Sequence, residues 1–338
     1  MSNNNLSLLL TLEYPPDVGG IAEYYAQQVK KTPTLRVLHL KSNGQSLSWL
    51  RFFKIVKKQL QNKRYQYIQV GQILPLGYLA LVFKFLMNQH FIVYVHGLDA
   101  LQATLSRWKK FWIKKIFDQA DYIAANSNYV KNCVSQKYHL DPQKIVISYP
   151  TIDLEFIENS ASKLMPLDRP AAKIVLSVGR LVERKGFDSV IRALANLSDI
   201  DWVYWIVGDG PYREYLESLI SDLQLGSRVK LCGRASANDL YRYFKTCDVF
   251  AMPSRERAGD VEGFGIVYLE AGAFKKPSIG GRSGGIPEAI EDGVTGILVD
   301  PENVMELQTA LAQLLQDSNL AKKMGEAAYS RVKQKIST

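Results

Sequence analysis

The chain has 338 residues, enough for two domains of ordinary size. With 47% hydrophobic and 22% charged residues it is globular in composition, which excludes a disordered tail protein and a collagen-like chain. The net charge of +9 is unevenly spread: residues 1–160 hold 19 Lys/Arg against 10 Asp/Glu, whereas residues 161–338 hold 23 of each. An excess confined to one half points to an anionic partner for that half, whether nucleic acid, a membrane surface or a substrate.

Cys133, Cys232 and Cys247 lie far apart with no Cys-x-x-Cys pair, which argues against a disulfide framework and a structural zinc site and fits a reducing cytosol. The apolar run Leu6–Leu12 is too short and wrongly flanked for a signal peptide. The stretch Ile73–Met87 is interrupted by Lys84 and reads as a buried helix rather than a membrane span.

Strand and helix signals alternate along the chain. Strands are expected at Leu6–Leu12, Leu35–Leu40, Tyr67–Val70, Phe91–Val95, Tyr122–Ala125 and Lys144–Ser148. Helices are expected at Ala22–Val29, Leu47–Leu60, Leu76–Met87 and Leu105–Gln119. Periodicity lapses over Asp153–Arg169, a linker with a short helical piece. The pattern then restarts with strands at Lys173–Val178, Trp202–Val207, Val229–Cys232, Val249–Met252, Ser278–Gly280 and Ile297–Val299. Helices fall at Phe187–Leu197, Pro211–Leu223, Asn238–Thr246, Phe264–Phe274, Val304–Gln316 and Leu320–Val332. Such alternation implies βαβ units and parallel sheets. The reading is α/β: two Rossmann-like domains facing across a cleft, at residues 1–155 and 156–320, with a C-terminal helix at 321–338.

Four loops that follow strands carry candidate chemistry. Tyr14-Pro15-Pro16-Asp17-Val18-Gly19-Gly20 opens a helix, and its glycines let an anion approach free N–H groups; a plain tight turn is the alternative. Gly179-Arg180-Leu181-Val182-Glu183-Arg184-Lys185-Gly186 sets two cations at a sheet edge, as a diphosphate needs, or is a solvated basic turn. It matches neither a dinucleotide fingerprint nor a P-loop. Glu262 and Glu270 flank Gly263-Phe264-Gly265; if a helix starts near Gly263, Glu270 lies about two turns in, on a similar face. Paired carboxylates suit a polyhydroxyl ligand, and a capping acid plus a surface Glu is the alternative. His96-Gly97 closes a strand, a place for a catalytic histidine or for a structural one. The basic aromatic stretches at 49–58 and 107–117 hold nine Lys/Arg and no acid, and suit either an anionic lipid interface or a helix packed on the sheet with solvated lysines.

Gly179-Arg180 with Lys185-Gly186, Gly208-Asp209-Gly210-Pro211, Glu262 with Glu270, and Gly284-Gly285-Ile286-Pro287-Glu288 occur in an order and spacing that resemble the retaining glycosyltransferases of family 4, which have the GT-B fold. The stretch Asp260–Glu270 is most similar to the phosphatidylinositol mannoside mannosyltransferases of that family. The resemblance implies that Arg180 and Lys185 hold a donor diphosphate, joined by the N–H groups of Gly19 and Gly20. It implies that Glu270 accepts from the ribose, that Glu262 with the N–H groups of Phe264 and Gly265 holds the transferred sugar, and that His96 contacts the sugar near its reacting carbon. Cys232-Gly233-Arg234 would lie by the base, and Gly179, Gly208 and Gly263 belong to the same donor site. The donor would be GDP-mannose or a UDP-sugar, with no cofactor and no metal. The acceptor would be lipid-linked or a glycan, met by a cytoplasmic enzyme held at the inner face of an anionic membrane, with no nucleic acid as partner.

Two rivals stand beside it. A sugar-nucleotide epimerase or phosphorylase on the same plan would need added acid/base carboxylates or a cofactor lysine, and neither signature is seen. A basic nucleic-acid-binding protein would explain the charge, but the sequence has no recognisable binding motif for one.

Overall fold

Leu8-Leu9-Leu10, Val175-Leu176 and Val249-Phe250-Ala251-Met252 are each buried throughout. Continuous burial marks strands of parallel sheets covered on both faces by helices. The computed structural model describes residues 6–15, 17, 19–42, 45–46, 48–102 and 106–336. It divides into two units, residues 1–150 with 258–263, and residues 151–257 with 264–338.

The first unit runs β1 (Ser7–Thr11), α1 (Gly20–Lys31), β2 (Leu35–His39), a ribbon of β3 (Lys41–Ser42) and β4 (Gln45–Ser46), α2 (Trp49–Asn62), β5 (Tyr67–Val70) and α3 (Leu76–Met87). It continues with β6 (Phe91–Val95), α4 (Leu98–Leu101), α5 (Arg107–Gln119), β7 (Tyr122–Ala125), α6 (Asn128–Tyr138) and β8 (Ile145–Ile147). Its six-stranded sheet has the order β2-β1-β5-β6-β7-β8, parallel throughout. The core gathers Phe52 and Val56 of α2, Phe83 of α3, and Ile113, Ile116 and Phe117 of α5 on the sheet residues Leu8, Leu10, Ile68, Val93 and Ile123.

The second unit runs α7 (Leu154–Ser162), β9 (Lys173–Val178), α8 (Phe187–Ala195), β10 (Trp202–Val207), α9 (Arg213–Asp222), β11 (Val229–Gly233), α10 (Ala237–Thr246) and β12 (Val249–Met252). Then come α11 (Ile266–Ala273), β13 (Ser278–Gly281), α12 (Ile286–Ala289), β14 (Gly296–Val299), α13 (Val304–Gln316) and α14 (Ser318–Ile336). The sheet order is β11-β10-β9-β12-β13-β14, again parallel. This is the doubly wound dinucleotide-fold order, whereas the first unit has the flavodoxin-like one. In both the strand order reverses beside the first strand, between β1 and β5 and between β9 and β12. Ligands of such sheets bind at the carboxyl ends of the strands flanking that point.

Most expected elements are present within two residues. Leu47 and Leu105, expected to open helices, lie outside the described residues. Helix α6 was not expected: its apolar stripe is only Val130, Val134 and Tyr138, although Ser127 caps it by accepting from the Val130 N–H. The expected boundary at 155/156 falls at 150/151, and residues 258–263 group with the first unit. The helix expected at 321–338 begins at Ser318 and belongs to the second unit, where it packs on α11, α13 and α7. A Cβ on Gly272 of α11 would lie 3.1 Å from Val332, and one on Gly325 only 2.0 Å from the Lys275 carbonyl oxygen. Residues 337–338 lie outside the described residues.

The loops at the carboxyl edge of the second sheet are interlocked through backbone. Gly179 N–H donates to Val207 (3.0 Å), Gly208 N–H to Gly233 (2.8 Å), and Leu181 N–H to Asp209 (3.0 Å). A Cβ on Gly208 would sit 1.9 Å from the Gly179 carbonyl oxygen, an overlap that only backbone movement relieves. Gly208→Ala is therefore expected to lower the melting temperature of the second unit by about 5 °C or more. Gly226→Ala, where a Cβ meets nothing within 4 Å, is the control and should leave it unchanged in the same thermal scan.

Candidate functional site

The second unit offers a cationic turn on a glycine floor. After β9 the chain passes through Gly179 to the 3₁₀ turn Glu183–Lys185, which Gly186 ends in the left-handed region at φ 74°. A Cβ on Gly186 would lie 2.4 Å from the Pro253 carbonyl oxygen, so the turn rests directly on the strand-end loop after β12. The Lys185 stem crosses Gly179, with Cε 3.7 Å from where a Cβ there would be. Arg180 is exposed, and among the described residues no carboxylate pairs with it.

A buried ion pair fixes this turn from behind. Arg255, after β12, is 5% exposed and donates two bonds of 2.8 Å to Asp188 of α8 and one of 3.0 Å to the Ser189 hydroxyl. Its backbone N–H donates to the Arg184 carbonyl (2.8 Å). Arg257 adds a 2.6 Å bond to Glu183. A buried bidentate pair of this kind is costly to break, because removing one partner strands the other charge.

On the neighbouring edge, Gly233 has φ 71° and open space where a Cβ would be. Arg234 is 85% exposed and stands 3.6 Å from Asp209. Burial pushes the Cys232 thiol up, against the lowering effect of a hydrogen bond with Tyr243.

Helix α11 starts at Ile266, not at Gly263, because Gly265 caps it in the left-handed region at φ 91°. Glu262 thus stands four residues before the helix and Glu270 only a little over one turn into it. Glu270 is half-buried between buried Leu269 and Ala271. Phe264 is fully packed, with 1% exposure. Phe264, Gly265 and Glu270 group with Gly179, Arg180, Lys185, Gly208 and Cys232–Arg234 in the second unit, whereas Glu262 and Gly263 group with Gly19, Gly20 and His96 in the first.

In the first unit, His96 follows β6 and sits among three tyrosines. Its ring is 5.1 Å from Tyr24 and 5.5 Å from Tyr25, both edge-on, and 6.5 Å from Tyr94, stacked. The Tyr25 hydroxyl donates to the Gly71 carbonyl, so its oxygen is left to accept from His96 Nε2–H at 2.7 Å. The neutral Nε2–H tautomer follows, with Nδ1 as the ring's acceptor. Burial lowers the His96 pKa to about 4, so the imidazole is uncharged at neutral pH. Asp99 accepts from the His96 and Gly97 N–H groups (3.2 and 3.1 Å), and burial raises its pKa to about 6.

Gly19 is exposed and caps α1 with backbone alone, accepting from the Glu23 N–H (3.1 Å). A Cβ on it would stand 3.8 Å from a Glu13 carboxylate oxygen, so an acid borders the expected anion contact. Pro16 and Val18 of that loop lie outside the described residues.

The sequence reading passed over Asn126. It is 8% exposed, donates from Nδ2 to the His96 carbonyl (3.2 Å), and keeps Oδ1 buried without a partner. A Cβ on Gly263 would lie 2.2 Å from the same carbonyl and 2.7 Å from Nδ2, so Gly263, Asn126 and His96 share one small space. Its only sequence signal was its place at the carboxyl end of β7. Arg255, Arg257 and Asp188 were also missed, since nothing marks a paired arginine until its carboxylate is found.

Comparison with known proteins then defines the class. Residues 11–156 match the family model described as Glycosyltransferase Family 4, and residues 166–331 match Glycosyl transferases group 1. The chain belongs to the family 4 glycosyltransferases. It is 46% identical over 164 residues to a GDP-mannose-dependent alpha-(1-6)-phosphatidylinositol monomannoside mannosyltransferase of Mycolicibacterium smegmatis, an alignment covering 47% of this chain and 42% of that protein. The match therefore spans less than half of that relative's length. A GDP-mannose-dependent monoacylated alpha-(1-6)-phosphatidylinositol monomannoside mannosyltransferase of Corynebacterium glutamicum is 27% identical over 98% of this chain and 94% of its own. In fold, the chain is similar to the Anabaena protein HepE, solved with UDP and glucose, at a TM-score of 0.77 and 22% identity, covering 97% and 94% of the two chains. The architecture is GT-B. Among the described residues no helix is long and apolar enough to cross a membrane, and no three His, Cys, Asp or Glu side chains are grouped to hold a metal ion.

The His96–Asp99 pair generates a pH prediction. Protonating His96 costs folding energy, so its contribution is intact above its ordinary value of 6.5 and is lost as pH falls toward about 4. Asp99 works in reverse: its raised pKa costs stability above about 6, and that cost is relieved as pH falls toward 3.8. The two oppose each other between about 4 and 6. The His96 imidazole resonances should not titrate between pH 5.5 and 8. In His96→Gln, stability should rise relative to wild type as pH falls from 6.5 to 4.5 in thermal scans.

Proposed function

We propose that the protein is a retaining hexosyltransferase that moves mannose from GDP-mannose to a lipid-linked or glycan acceptor at an anionic membrane surface. The observation that carries the reading is the placement of Arg180 and Lys185 on the Gly179–Gly208 floor, at the carboxyl ends of β9 and β10 and next to the topological switch point. Two fixed cations there suit a diphosphate that leaves as a dianion. The names of the mannosyltransferase relatives favour GDP-mannose as donor; a UDP-sugar is the alternative.

In this reading Arg180 and Lys185 stabilise the departing nucleoside diphosphate, assisted by the N–H groups of Gly19 and Gly20. Glu270 accepts from the ribose, and Cys232, Gly233 and Arg234 border the base. Glu262, with the N–H groups of Phe264 and Gly265, holds the sugar hydroxyls. His96, neutral because it is buried among tyrosines, contacts the sugar near its reacting carbon without adding charge to an oxocarbenium-like centre. The acceptor attacks on the face the leaving group vacates, and a leaving phosphate oxygen takes the acceptor's proton. No resident cofactor or metal is invoked.

The membrane part rests on α2 and α5. Each buries one face, through Phe52, Val56 and Leu60 and through Ile113, Ile116 and Phe117. Each also exposes large apolar groups beside its basic residues: Leu50 (77%) near Arg51 and Lys54, and Trp108 (65%) and Phe111 (59%) near Lys109 and Lys110. The packed-helix and lipid-interface readings are thus compatible. In this reading the enzyme works as a peripheral protein on the cytoplasmic face of the cell membrane, without a nucleic-acid partner.

Hydrolysis assayed across GDP- and UDP-hexoses should show GDP-mannose as the preferred donor. Arg180→Ala and Lys185→Ala should each cut turnover about 100-fold or more while the melting temperature holds; near-normal turnover in both would sink the diphosphate assignment. Lys54→Glu with Lys109→Glu should abolish salt-sensitive pelleting with vesicles containing anionic lipid, leaving donor hydrolysis intact. Retention of the doubly substituted protein on such vesicles would remove the membrane from the proposal.

A further inference from the structure

Between Arg255 and Glu262 the chain leaves the second unit, and its last residue there is gripped from two sides. Arg257 donates from Nε to Glu183 Oε1 (2.6 Å) and from its two terminal nitrogens to Glu302 (2.5 and 3.1 Å). A further bond joins it to the Glu256 carbonyl (3.0 Å). Glu183 is the first residue of the turn that ends in Lys185, and Glu302 follows β14. The guanidinium fork thus ties together three separate loops at the carboxyl edge of one sheet. The hydrogen bonds from Arg257 also hold the Glu302 carboxyl below its usual range, so the fork stays charged on both sides at neutral pH.

Immediately after the fork, Ala258 and Gly259 both take positive φ, 50° and 76°, the sign pattern of a tight type I′ turn. A non-glycine residue in the left-handed region costs about 1–2 kcal/mol and persists only where its surroundings over-determine it. Here the fork supplies one fixed end. Lys185 lies two residues beyond Glu183, and Glu302 lies two residues before helix α13. One side chain is therefore shared by the Lys185 turn and the loop that joins β14 to α13.

We propose that Arg257 is a positioning residue, which by gripping Glu183 and Glu302 together holds the Lys185 turn and the loop after β14 in one register. Its catalytic consequence rests on the donor-site reading above; its mechanical consequence does not. The partners are half-exposed, at 35%, 51% and 56% for Arg257, Glu183 and Glu302, so the fork adds little to global stability. Arg255 also stands 3.8 Å from Glu183 but its side chain spends its stronger bonds on buried Asp188, so the direct side-chain grip on Glu183 is that of Arg257.

The experiment compares wild type with Arg257→Gln, Glu183→Gln and the double variant. Each single variant should lower kcat for donor hydrolysis about tenfold or more, through misplacement of charged groups it does not itself contain. KM for the donor should stay within about twofold and the melting temperature within about 2 °C. The double variant should be no worse than the worse single, since both remove one linkage. Arg257→Lys, which lacks the fork, should not restore kcat. Amide exchange, read on the same proteins without any substrate, should rise over 183–186 and 300–303 in Arg257→Gln and stay unchanged in β9. Unchanged exchange in those two segments, or single effects that multiply in the double variant, would overturn the proposal. If wild type hydrolyses no sugar nucleotide, the donor reading fails, and the exchange measurement still decides whether Arg257 sets the register.

Discussion

The close approach of backbone to backbone at the carboxyl edge of the second sheet is the constraint on which the remaining features of that unit rest. Gly208 touches the Gly179 carbonyl, Gly186 touches the Pro253 carbonyl, and a Cβ on Gly281 would lie 2.2 Å from the Ser254 carbonyl. These contacts set backbone against backbone at the ends of β9, β10, β12 and β13. Arg180 and Lys185 lie in the loop that follows the first of these strands. The Arg255–Asp188 pair is the second layer of the same design, a buried charge pair placed where α8 meets the loop it supports. Such pairs contribute more to fixing one arrangement than to net stability, since desolvation offsets most of the attraction.

The first unit solves a related problem by different means. Its site loop has a histidine rather than cations, and its surroundings are aromatic rather than glycine-lined. Tyr24, Tyr25 and Tyr94 surround the His96 ring, and Asp99 and Asn126 hold the backbone on either side of it. Positive charge is therefore kept off the His96 ring, whereas it is concentrated on the Lys185 turn. The basic excess of this unit lies instead on α2 and α5.

Much of this was legible in the sequence. Apolar runs at strand length gave twelve of the strands, because parallel strands buried on both faces leave little ambiguity. The glycines at the ends of β9 and β10 marked a close approach of backbone to backbone, since a Cβ on Gly208 would overlap the Gly179 carbonyl, whereas Gly233 at the end of β11 faces open space. Helix α6 escaped because its polar face outweighs three apolar residues, and the start of α11 was misplaced because Gly263 and Gly265 give the same local signal. The pair β3 and β4 went unread although Asn-Gly at 43–44 is a hairpin signal in the sequence, and the flavodoxin-like order of the first sheet had no local signature. Asn126, Arg255 and Arg257 were passed over: a side chain's partner 30, 67 or 74 residues away is a property of the fold, and no periodicity encodes it.

The hydrogen-bond polarity of His96 carries a consequence of its own. The Gly71 carbonyl takes the Tyr25 proton, the Tyr25 oxygen takes the Nε2 proton, and the chain of donors ends with a lone pair on Nδ1. With the tautomer set by a backbone carbonyl and the proton count constant across neutral pH, the ring presents one fixed sign to whatever meets that nitrogen. Any atom that contacts it favourably must bring a hydrogen. A hydroxyl satisfies that condition and an ether oxygen at the same point does not. An oxygen placed against that nitrogen would therefore be read by hydrogen-bond direction, where shape and size alone would not tell a hydroxyl from an ether.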